Sequence, residues 1–349
     1  MVKQPIDSIG HRIIPRRSNR LTAAYRFQSN GTPEKTSRKS PQKGVALSIC
    51  TYNCRSLSKE ENLDLLLQEI RKTSCDVLGV CETRRRTEFN VTWRSGETVF
   101  LGSGMERGNY YKGGIGFVVS KKWSPNIISS DFRSSRVGVL LLRLDSNKTI
   151  KIVQVYAPTS ASDDDEVEEF YQDLESTLTI NSTYTVVMGD FNAKLGRGGK
   201  SGEKFIGKFG IGERNERGDR LATMAETNKL YVGHTWFRKK ANRRWTWIAP
   251  NARTKNEIDF ILIDTWRILQ DVSVVPSFNT GSDHRLVRAR IFLNPVVERR
   301  ILHNSFRIKR PTAFSEEQIR SQVLSTDWSI KGDIDEDYES FVSKKLHCA

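Results

Sequence analysis

The sequence has few features of a membrane, secreted or zinc-binding protein. No run among its 349 residues approaches the roughly 18 apolar residues of a membrane-spanning helix, and the N-terminal region lacks a secretory h-region. The five cysteines form no C-x-x-C pair, and the five histidines are scattered. This pattern disfavours a disulfide framework and a structural zinc site. We therefore expect a soluble, non-secreted protein of a reducing compartment, with no membrane partner.

Acidic residues are outnumbered by basic ones: the sequence has 41 Asp and Glu and 56 Lys and Arg, which gives a net charge of +15. Such a balance favours polyanionic partners, of which DNA or another nucleic acid is the commonest and an anionic membrane surface the alternative. Residues 1–43 alone carry ten basic residues against two acidic ones. We predict a basic, disordered tail over 1–45. It is interpreted as a solvated arm, as a nuclear-localising or nucleic-acid-gripping arm, or as a transit peptide, and we expect the nucleus, with the cytoplasm as the alternative.

Short apolar runs recur from residue 46 onward, with helical periodicity at 59–73, 163–178 and 217–228. There are too many runs for one doubly wound sheet, and some neighbours are joined by turns and others by helices. The pattern predicts an α/β (α+β) domain over 46–294, with two mixed sheets packed face to face and helices outside. Residues 295–349 are interpreted as a basic linker with short helices near 315–324 and 334–345.

Polar side chains occupy the ends of several apolar runs, as active-site residues commonly do. The residues so placed are Asn53, Glu82, Tyr156, Asp190, Asn192, Asp259, Asp283 and His284. Each alone has an ordinary explanation as a turn former, a surface acid or a core histidine. Their repeated position at strand ends favours a shared site.

The chemistry of this set is coherent. Carboxylates and carboxamides without a thiolate cluster suit a hard, oxygen-preferring cation, for which we predict Mg²⁺ with Mn²⁺ as the alternative. An Asp partner orients an imidazole as a general base, and Asn and Tyr donate neutral hydrogen bonds to phosphate oxygens. Together these groups would activate water, position a phosphodiester and neutralise its developing charge.

Six motifs resemble those of the endonuclease/exonuclease/phosphatase family. In chain order they are "ICTYNCRSL", "GVCETR", "VYAPT", "MGDFNAKLG", "NEIDFILI" and "GSDHRLVRARI". Within the family they are similar to the apurinic-endonuclease-like domains of RTE-type non-LTR retrotransposons and to the craniofacial development protein 2 group. The resemblance implies a four-layer sandwich of two mixed sheets flanked by helices, and metal-dependent phosphodiester cleavage.

By this resemblance, Glu82 would hold the metal, with Asn53 beside it and Asp283 completing the polar cluster. One position departs from the family pattern. An acidic metal contact is common two residues beyond the Asn of the first motif, where this chain has Arg55. A second direct carboxylate is thereby placed in doubt, and Arg55 is a candidate contact to the DNA backbone.

The remaining motif residues would act on the phosphate and the attacking water. Tyr156 and Asn192 would contact the scissile phosphate. Asp190 would align or deprotonate the water, or protonate the leaving oxygen. His284 would act on the phosphate side of the reaction, and Asp259 would orient its ring.

Basic and aromatic residues alternate in "TWFRKKANRRWTW", residues 235–247, for which we predict a hairpin with a basic turn. In such a hairpin the cations would contact DNA phosphates and the aromatic rings would stack on bases. An ordinary hairpin with solvated charges has the same sequence pattern. The candidate DNA contacts are Arg55, Arg84, Arg85, Arg238, Lys239, Lys240, Arg243, Arg244 and Trp245.

The sequence thus predicts an enzyme, a magnesium-dependent DNA endonuclease that nicks target or abasic sites. A phosphatase or lipid phosphodiesterase of the same fold is the first alternative, since a fold does not determine the substrate. A non-catalytic nucleic-acid- or chromatin-binding protein is the second. At 349 residues we expect no reverse transcriptase domain in this chain, so we expect a stand-alone, domesticated or truncated relative of such elements.

Overall fold

A computed structural model describes residues 44–145, 147–198, 203–293, 324–329, 336–338 and 340. The predicted tail lies outside the described residues up to residue 43. Of the two predicted C-terminal helices, residues 324–325, 336–338 and 340 are described and helical, and the other residues lie outside the described part. Within the described part of the chain, no helix has the length and hydropathy needed to cross a bilayer.

Three α-helices and seventeen strands make up the described domain. The helices are α1 (Glu60–Arg71), α2 (Asp164–Leu178) and α3 (Glu216–Thr227), each within two residues of its predicted bounds. The strands are β1 (Val45–Asn53), β2 (Val77–Cys81), β3 (Phe89–Thr92), β4 (Thr98–Leu101), β5 (Met105–Arg107), β6 (Tyr110–Lys112), β7 (Ile115–Val119), β8 (Ile127–Phe132), β9 (Val137–Arg143), β10 (Thr149–Tyr156), β11 (Tyr184–Asp190), β12 (Tyr231–Val232), β13 (Trp247–Ile248), β14 (Lys255–Asn256), β15 (Asp259–Ile263), β16 (Leu269–Val275) and β17 (Leu286–Leu293).

The strands form two large sheets and two small ribbons. The first sheet has the order β16-β17-β1-β2-β7-β4-β3, and the second β12-β15-β11-β10-β9-β8. Each contains one parallel pair, β1 with β2 and β10 with β11, among antiparallel neighbours. Both sheets are therefore mixed, as predicted. The carboxyl ends of these parallel strands and the amino ends of β15 and β17 meet at one edge, where the predicted polar residues lie.

Three apolar cores separate four layers. Between the sheets, Ile49 and Val77 of the first sheet pack with Ile152 and Met188 of the second. On the outer face of the first sheet, α1 buries Leu63, Leu66, Leu67 and Ile70, the stripe expected of an amphipathic helix. Helices α2 and α3 cover the outer face of the second sheet. The helix–sheet–sheet–helix sandwich implied by the resemblance is confirmed.

The polar cluster is an extension of the inter-sheet core. Because side chains alternate between the two faces of a strand, Asn53 lies on the same face of β1 as the core residue Ile49. Asp190 lies on the same face of β11 as Met188. Both polar residues are almost completely buried. The same period-two pattern that fills the core therefore directs an amide and a carboxylate from opposite sheets toward each other.

Gly189 allows the second sheet to deliver Asp190. Its φ is +150°, and a Cβ at this position would lie 1.9 Å from the backbone oxygen of Val155 on the neighbouring strand β10. A side chain there would push the two strands apart. The glycine of "MGDFN" is thus required by close backbone approach.

Several parts of the strand prediction were incomplete or wrong. The sequence analysis did not identify β3, β4, β8 or the β5–β6 ribbon; β3 and β8 are half-exposed edge strands with polar residues. The predicted basic hairpin over 235–247 is absent, because residues 233–236 and 241–243 form 3₁₀ turns and only 247–248 join a strand. Within this segment Arg244 is buried and donates to the backbone oxygens of residues 234 and 237, which holds the chain in a compact turn instead of two paired strands.

Candidate active site

A cleft of about 540 Å³ opens at the end of the sandwich where the parallel strands finish. Six of the predicted residues line it, namely Glu82, Tyr156, Asp190, Asn192, Asp283 and His284. The remaining two, Asn53 and Asp259, are completely buried behind it and contact residues of the lining. The structure therefore brings together all eight polar residues that the sequence placed at strand ends.

Asn53 joins the two sheets at the floor of the cleft. Its Nδ2 donates to Glu82 Oε1 at 3.1 Å and to Asp190 Oδ2 at 3.0 Å. Its Oδ1 accepts from the backbone N–H of Arg55 at 3.0 Å, so the amide orientation is determined by all three contacts. One carboxamide thus holds carboxylates from opposite sheets within reach of each other.

The backbone around the cleft is strained. Among the described non-glycine residues, six have positive φ, and four of these line the cleft: Arg55, Glu82, Arg84 and Asn192, with φ from 48° to 59°. Such conformations cost free energy for residues with a Cβ and persist where the surroundings enforce them. Their concentration at this cleft supports a functional role.

Asp190 is held in an environment that favours proton transfer near neutral pH. It lies directly opposite Asp259 across the antiparallel β11–β15 pair, and both carboxylates are buried. Burial and the charge of Asp259 raise the pKa of Asp190 to about 7, against the opposing influence of His284 and of hydrogen bonds from Asn53 and Asn192. A group that titrates near the working pH is suited to act as a general base or acid.

His284 contacts both carboxylates. Its Nδ1 lies 3.0 Å from Asp259 Oδ2, so the predicted Asp259–His284 contact is present, and its Nε2 lies 3.8 Å from Asp190 Oδ2. Burial alone would lower the pKa of His284, but the charges of Asp259 and Asp190 raise it to about 9. The ring is therefore charged at neutral pH. This state suits stabilisation of phosphate charge, and the base role fits Asp190 better.

Two supporting residues were missed by the sequence analysis. Ser282 Oγ donates to the backbone oxygen of Asn53 at 2.8 Å and accepts from the backbone N–H of His284 at 3.1 Å. Trp247 Nε1 donates to Asp283 Oδ2 at 3.0 Å. The serine of "GSDH" and the alternating tryptophans of "WTW" were the available signals. Both residues position side chains that line the cleft.

Tyr156 is oriented from behind by Arg136, which the sequence analysis also missed. Arg136 donates to the backbone oxygen of Tyr156 at 3.1 Å, lies 5.3 Å over its ring, and forms an ion pair with Glu166 on α2. Burial, followed by the charges of Glu82 and Asp190, raises the pKa of Tyr156. The phenol therefore stays neutral and is able to donate a hydrogen bond to an anion.

The ion pair between Arg136 and Glu166 is expected to stabilise the fold at neutral pH and to lose this effect in acid. Burial alone would raise the pKa of Glu166, but the nearby Ser162 hydroxyl, the hydrogen bond from Arg136 and the charges of Arg136 and Lys112 lower it to about 2. Because the folded pKa lies below the unfolded value of about 4.3, the stabilisation is present above that value and is lost as pH falls toward 2. At pH 7 the wild type should have a higher free energy of unfolding than Glu166→Gln. At pH 3 this difference between the two proteins should be less than half of its value at pH 7.

Urea unfolding at both pH values measures this difference, with the exposed Glu169→Gln as control. An equal difference at pH 7 and pH 3 would show that the Arg136–Glu166 pair is not its source.

The oxygen-rich side of the cleft fits a divalent cation. Glu82 and Asp283 offer carboxylate oxygens, the ligands that Mg²⁺ prefers. Asn53 directs its Nδ2 toward Glu82 and uses its Oδ1 to accept from the Arg55 N–H, so its amide would have to turn to bind the metal. Asp283 Oδ1 is buried without a hydrogen-bond donor among the described residues, and the nearest cation is Arg55 Nε at 3.5 Å. In contrast, Glu82 is already paired with Arg84, so a metal would share this carboxylate or displace the guanidinium.

A second group of ligand atoms lies deeper in the site. Atoms of Asp190, Asp259 and His284 fall within 4.8 Å of one another. This group includes an imidazole nitrogen, which suits transition metals more than Mg²⁺. His284 Nδ1 is in hydrogen-bonding contact with Asp259, so this nitrogen is already engaged and the group is less suited to hold a metal than the oxygen-rich side of the cleft.

The structure leaves five of the predicted DNA contacts accessible. Arg55 and Arg84 are exposed at the mouth of the cleft. Arg238, Lys240 and Arg243 are exposed in the segment that follows β12. These five side chains remain candidates for contacts to phosphate.

Two predicted DNA contacts have structural roles instead. Arg244 is buried, and it donates to Glu257 Oε1 at 2.9 Å and to the backbone oxygens of residues 234 and 237 at 3.0 Å each. Its prediction as a DNA contact is wrong, because a guanidinium in the interior must use its donors on internal acceptors. Arg85 is largely enclosed and donates to the Leu57 backbone oxygen at 3.0 Å and to Glu60 at 2.7 Å. Its donors are therefore occupied.

The remaining two candidates are partly covered. Lys239 forms an ion pair with Asp271 at 2.5 Å, which neutralises its charge. The ring of Trp245 is covered by the guanidinium of Arg285, 3.1 Å from the ring centroid, and by Lys255 Nζ at 5.0 Å. The predicted stacking of Trp245 on a DNA base is therefore blocked in this structure.

An exposed ribbon beside the cleft was also missed. Strands β5 and β6 are joined by a two-residue Gly108–Asn109 loop with Gly108 at φ +60°, a typical tight hairpin. The ribbon exposes Met105 and 63% of Tyr110, and its base lies against Arg84. The signal was "RGNYYK", a glycine–asparagine turn flanked by aromatic residues. An exposed aromatic residue at this rim is suited to contact a substrate.

Comparison with known proteins finds the family that the six quoted motifs resemble. Residues 50–284 match the Endonuclease/Exonuclease/phosphatase family. Craniofacial development protein 2 of Tragulus javanicus is 31% identical over 250 residues, which cover 70% of this chain and 42% of that protein. The chain thus spans about two fifths of the length of this relative.

A solved structure shows the same fold. The AP endonuclease LMAP from Leishmania major superposes with a TM-score of 0.52 at 14% identity, covering 70% of this chain and 87% of that one. The endonuclease domain of TRAS1, a telomere-specific non-LTR retrotransposon, has a TM-score of 0.48 at 15% identity, covering 72% and 100%. The predicted likenesses are confirmed, and the chain belongs to the endonuclease/exonuclease/phosphatase family.

Proposed function

We propose that this protein is a DNA endonuclease that requires a divalent metal, with Mg²⁺ as the first choice and Mn²⁺ as the alternative. Members of its family are typically hydrolases of phosphodiester bonds and generally use divalent metals. The observation that carries the proposal is Asp190, a buried carboxylate with a pKa raised to about 7, held between Asn53 and His284. Carboxylates whose pKa is raised by burial and a neighbouring charge within a cleft are concentrated at functional sites.

Each residue then has a role that follows from its contacts. A divalent metal bound at Glu82, Asn53 and Asp283 would polarise a phosphate oxygen and offset the charge that develops on it. Asp190 would accept a proton from the attacking water. His284, kept charged by Asp259, would face the phosphate.

Two neutral residues would orient the substrate. The phenol of Tyr156 would donate to a phosphate oxygen, since its raised pKa keeps the proton on the ring. Asn192 donates one Nδ2 hydrogen to the backbone oxygen of Ala157 at 2.9 Å, and its second Nδ2 hydrogen would donate to a phosphate oxygen in the cleft. These contacts would hold the phosphodiester in position while the water attacks.

The choice of DNA as the substrate rests on charge. The net charge is +15, and the exposed cations Arg55 and Arg84 stand at the cleft mouth. Polyanionic DNA gains from every such contact, because each neutralised phosphate releases counterions. We propose nicking of target or abasic-site DNA, as in the retrotransposon-type domains that the motifs resemble, and a nuclear location to which the basic N-terminal residues contribute.

Parallel assays of substrate class test this function. With Mg²⁺, the wild type should convert supercoiled plasmid to open circles and release little phosphate from a phosphoinositide. Asp190→Asn should lose the nicking activity by at least a hundredfold and keep its affinity for plasmid, since the change removes a proton acceptor and leaves the exposed cations in place. Preferential phosphoinositide turnover would favour a lipid phosphatase, and tight DNA binding without turnover of either substrate would favour a non-catalytic binding protein.

A further inference from the structure

A second cleft of about 460 Å³ lies next to the active site and takes no part in the proposed chemistry. Its wall includes Arg243, Trp245, Lys255 and Arg285, together with the exposed Pro276 and Ser277 at the end of β16. The lining contains three cations and no acidic residue. A concave surface of this composition attracts anions.

The three cations have no counter-charge. Within the described part of the chain, none of Arg243, Lys255 and Arg285 forms an ion pair, although many other Arg and Lys residues do. Arg285 is only partly exposed and donates to the backbone oxygen of Asn242 at 3.2 Å. Burial and the neighbouring charge of Arg243 lower its pKa. Like charges gathered without a partner repel one another, and a bound anion would relieve that repulsion.

Trp245 holds two of these cations in place. The Arg285 guanidinium lies 3.1 Å from the centroid of the indole ring, and Lys255 Nζ lies 5.0 Å from it. Cation–π contact therefore fixes the positions of both charges before any ligand arrives. Because the ring already contacts two cations, the ligand in this cleft meets positive charge rather than an open stacking surface.

A single ridge separates the second cleft from the active site. Trp247 pairs with His284 in an isolated β-bridge, and the backbone N–H of Arg285 donates to the Thr246 oxygen at 2.7 Å. Successive side chains along such a ridge point to opposite sides. This alternation places His284 in the active-site cleft and Arg285 in the second cleft. On the other strand of the ridge, Trp247 of β13 lines the active-site cleft, and Trp245, which precedes β13, lines the second cleft. The two clefts are back to back, within a few residues of each other.

We propose that the second cleft binds a phosphodiester group of the same DNA molecule whose scissile phosphate occupies the active site. This inference rests on the proposed function. The positions of the two clefts suggest this ligand. A DNA strand bound in the active site carries further phosphates on either side of the scissile one, one for about every 3.4 Å along the helix axis. The second cleft would thus make the enzyme prefer long DNA over small phosphodiesters, and it would position the strand without touching the reacting atoms.

The test compares DNA binding with hydrolysis of a small diester. The double variant Lys255→Gln/Arg285→Gln removes two charges from the second cleft, and Lys121→Gln/Arg143→Gln removes two exposed charges at the opposite end of the strands. Binding of a fluorescent 30-base-pair duplex is measured in Ca²⁺ over a range of salt concentrations. Turnover of bis(p-nitrophenyl) phosphate, a diester too small to span both clefts, is measured with Mn²⁺.

The second cleft predicts a specific loss. Each phosphate contact contributes roughly 0.9 to the slope of log affinity against log salt concentration, so the Lys255/Arg285 variant should flatten this slope by about one to two. Its affinity for the duplex at low salt should fall at least tenfold, while turnover of the small diester stays within twofold of wild type. The control pair should change neither slope nor affinity appreciably. If the double variant fails to fold, the exposed Lys255→Gln alone should flatten the slope by about one.

The outcomes separate the two proposals. A variant whose slope and affinity equal those of the control pair would show that the second cleft binds no DNA phosphate. An equal loss for duplex and small diester would also overturn the inference, because it would mean that the ridge is distorted. If the wild type hydrolyses neither substrate but the variant still loses DNA binding selectively, the endonuclease function fails and the second phosphate site stands.

Discussion

Replacing Glu82 by Gln is expected to abolish Mg²⁺-stimulated cleavage of DNA. The substitution keeps the shape of the side chain and an oxygen able to accept from Asn53, but it removes the negative charge proposed to hold the metal. Metal polarisation of a phosphate is worth several kcal/mol of transition-state stabilisation, and each ~1.4 kcal/mol is tenfold in rate. The initial rate of plasmid nicking at saturating Mg²⁺ should therefore fall by at least a hundredfold.

The control for this prediction is Glu88→Gln, which removes an exposed carboxylate from the same side of the first sheet. It should nick at the wild-type rate. Glu82→Gln should also keep the thermal stability of the wild type to within a few degrees, since Gln has the same shape and keeps an oxygen to accept from Asn53. A Glu82→Gln protein that nicks plasmid as fast as wild type would remove Glu82 from the proposed metal site.

The second large effect is expected at Asp259 and His284, which should behave as one unit. Their side chains are 3.0 Å apart, and Asp259 contributes to keeping the imidazole charged. His284→Ala and Asp259→Ala should each reduce single-turnover cleavage by at least a hundredfold. The double variant should be hardly slower than His284→Ala, because residues that act as a unit give strongly non-additive losses.

Two features make this comparison decisive. Asp259→Asn serves as a milder variant, since it preserves the packing of a completely buried residue. Plasmid binding in Ca²⁺ should be unchanged in all variants, which separates loss of chemistry from loss of affinity. Losses that multiply in the double variant would show that the two residues act independently, whatever their distance.

The polar residues of the site could be predicted because each lies in or at one end of an apolar run. In β11 the inward-facing positions are apolar until the last one, which is Asp190. In β1 the apolar Leu47 and Ile49 are followed on the same face by Thr51 and Asn53. Strand ends at one edge of a sandwich meet in space, so the eight residues could be grouped before any coordinates were known. The contact between Asp259 and His284 was foreseen for the same reason.

What sequence reasoning could not supply was the partner of each cation. Arg243 and Arg244 are adjacent in a basic run, yet Arg243 is exposed and Arg244 is buried against Glu257. The pattern of charges does not distinguish them, because burial depends on the acid that folding brings beside each one. For this reason the basic hairpin and the DNA contacts at Arg244 and Arg85 were predicted wrongly.

Trp245 illustrates the same limit for aromatic residues. Interleaved aromatic and basic residues indicate nucleic-acid binding, and the sequence suggested base stacking. Its cation partners, Arg285 and Lys255, are 40 and 10 residues away in the chain. Only the fold shows that these cations cover the ring, and the phosphate site proposed for the second cleft rests on that arrangement.

The most direct test of the account is the rate at which the purified wild-type protein converts supercoiled plasmid to open circles, with Mg²⁺ and again after chelation by EDTA. The account predicts nicking that requires the metal, stops on chelation and resumes when Mg²⁺ is restored in excess. Nicking that continues at the same rate in EDTA would contradict the metal-dependent site. Absence of nicking with both Mg²⁺ and Mn²⁺, in a folded protein that binds the plasmid, would contradict the endonuclease function itself.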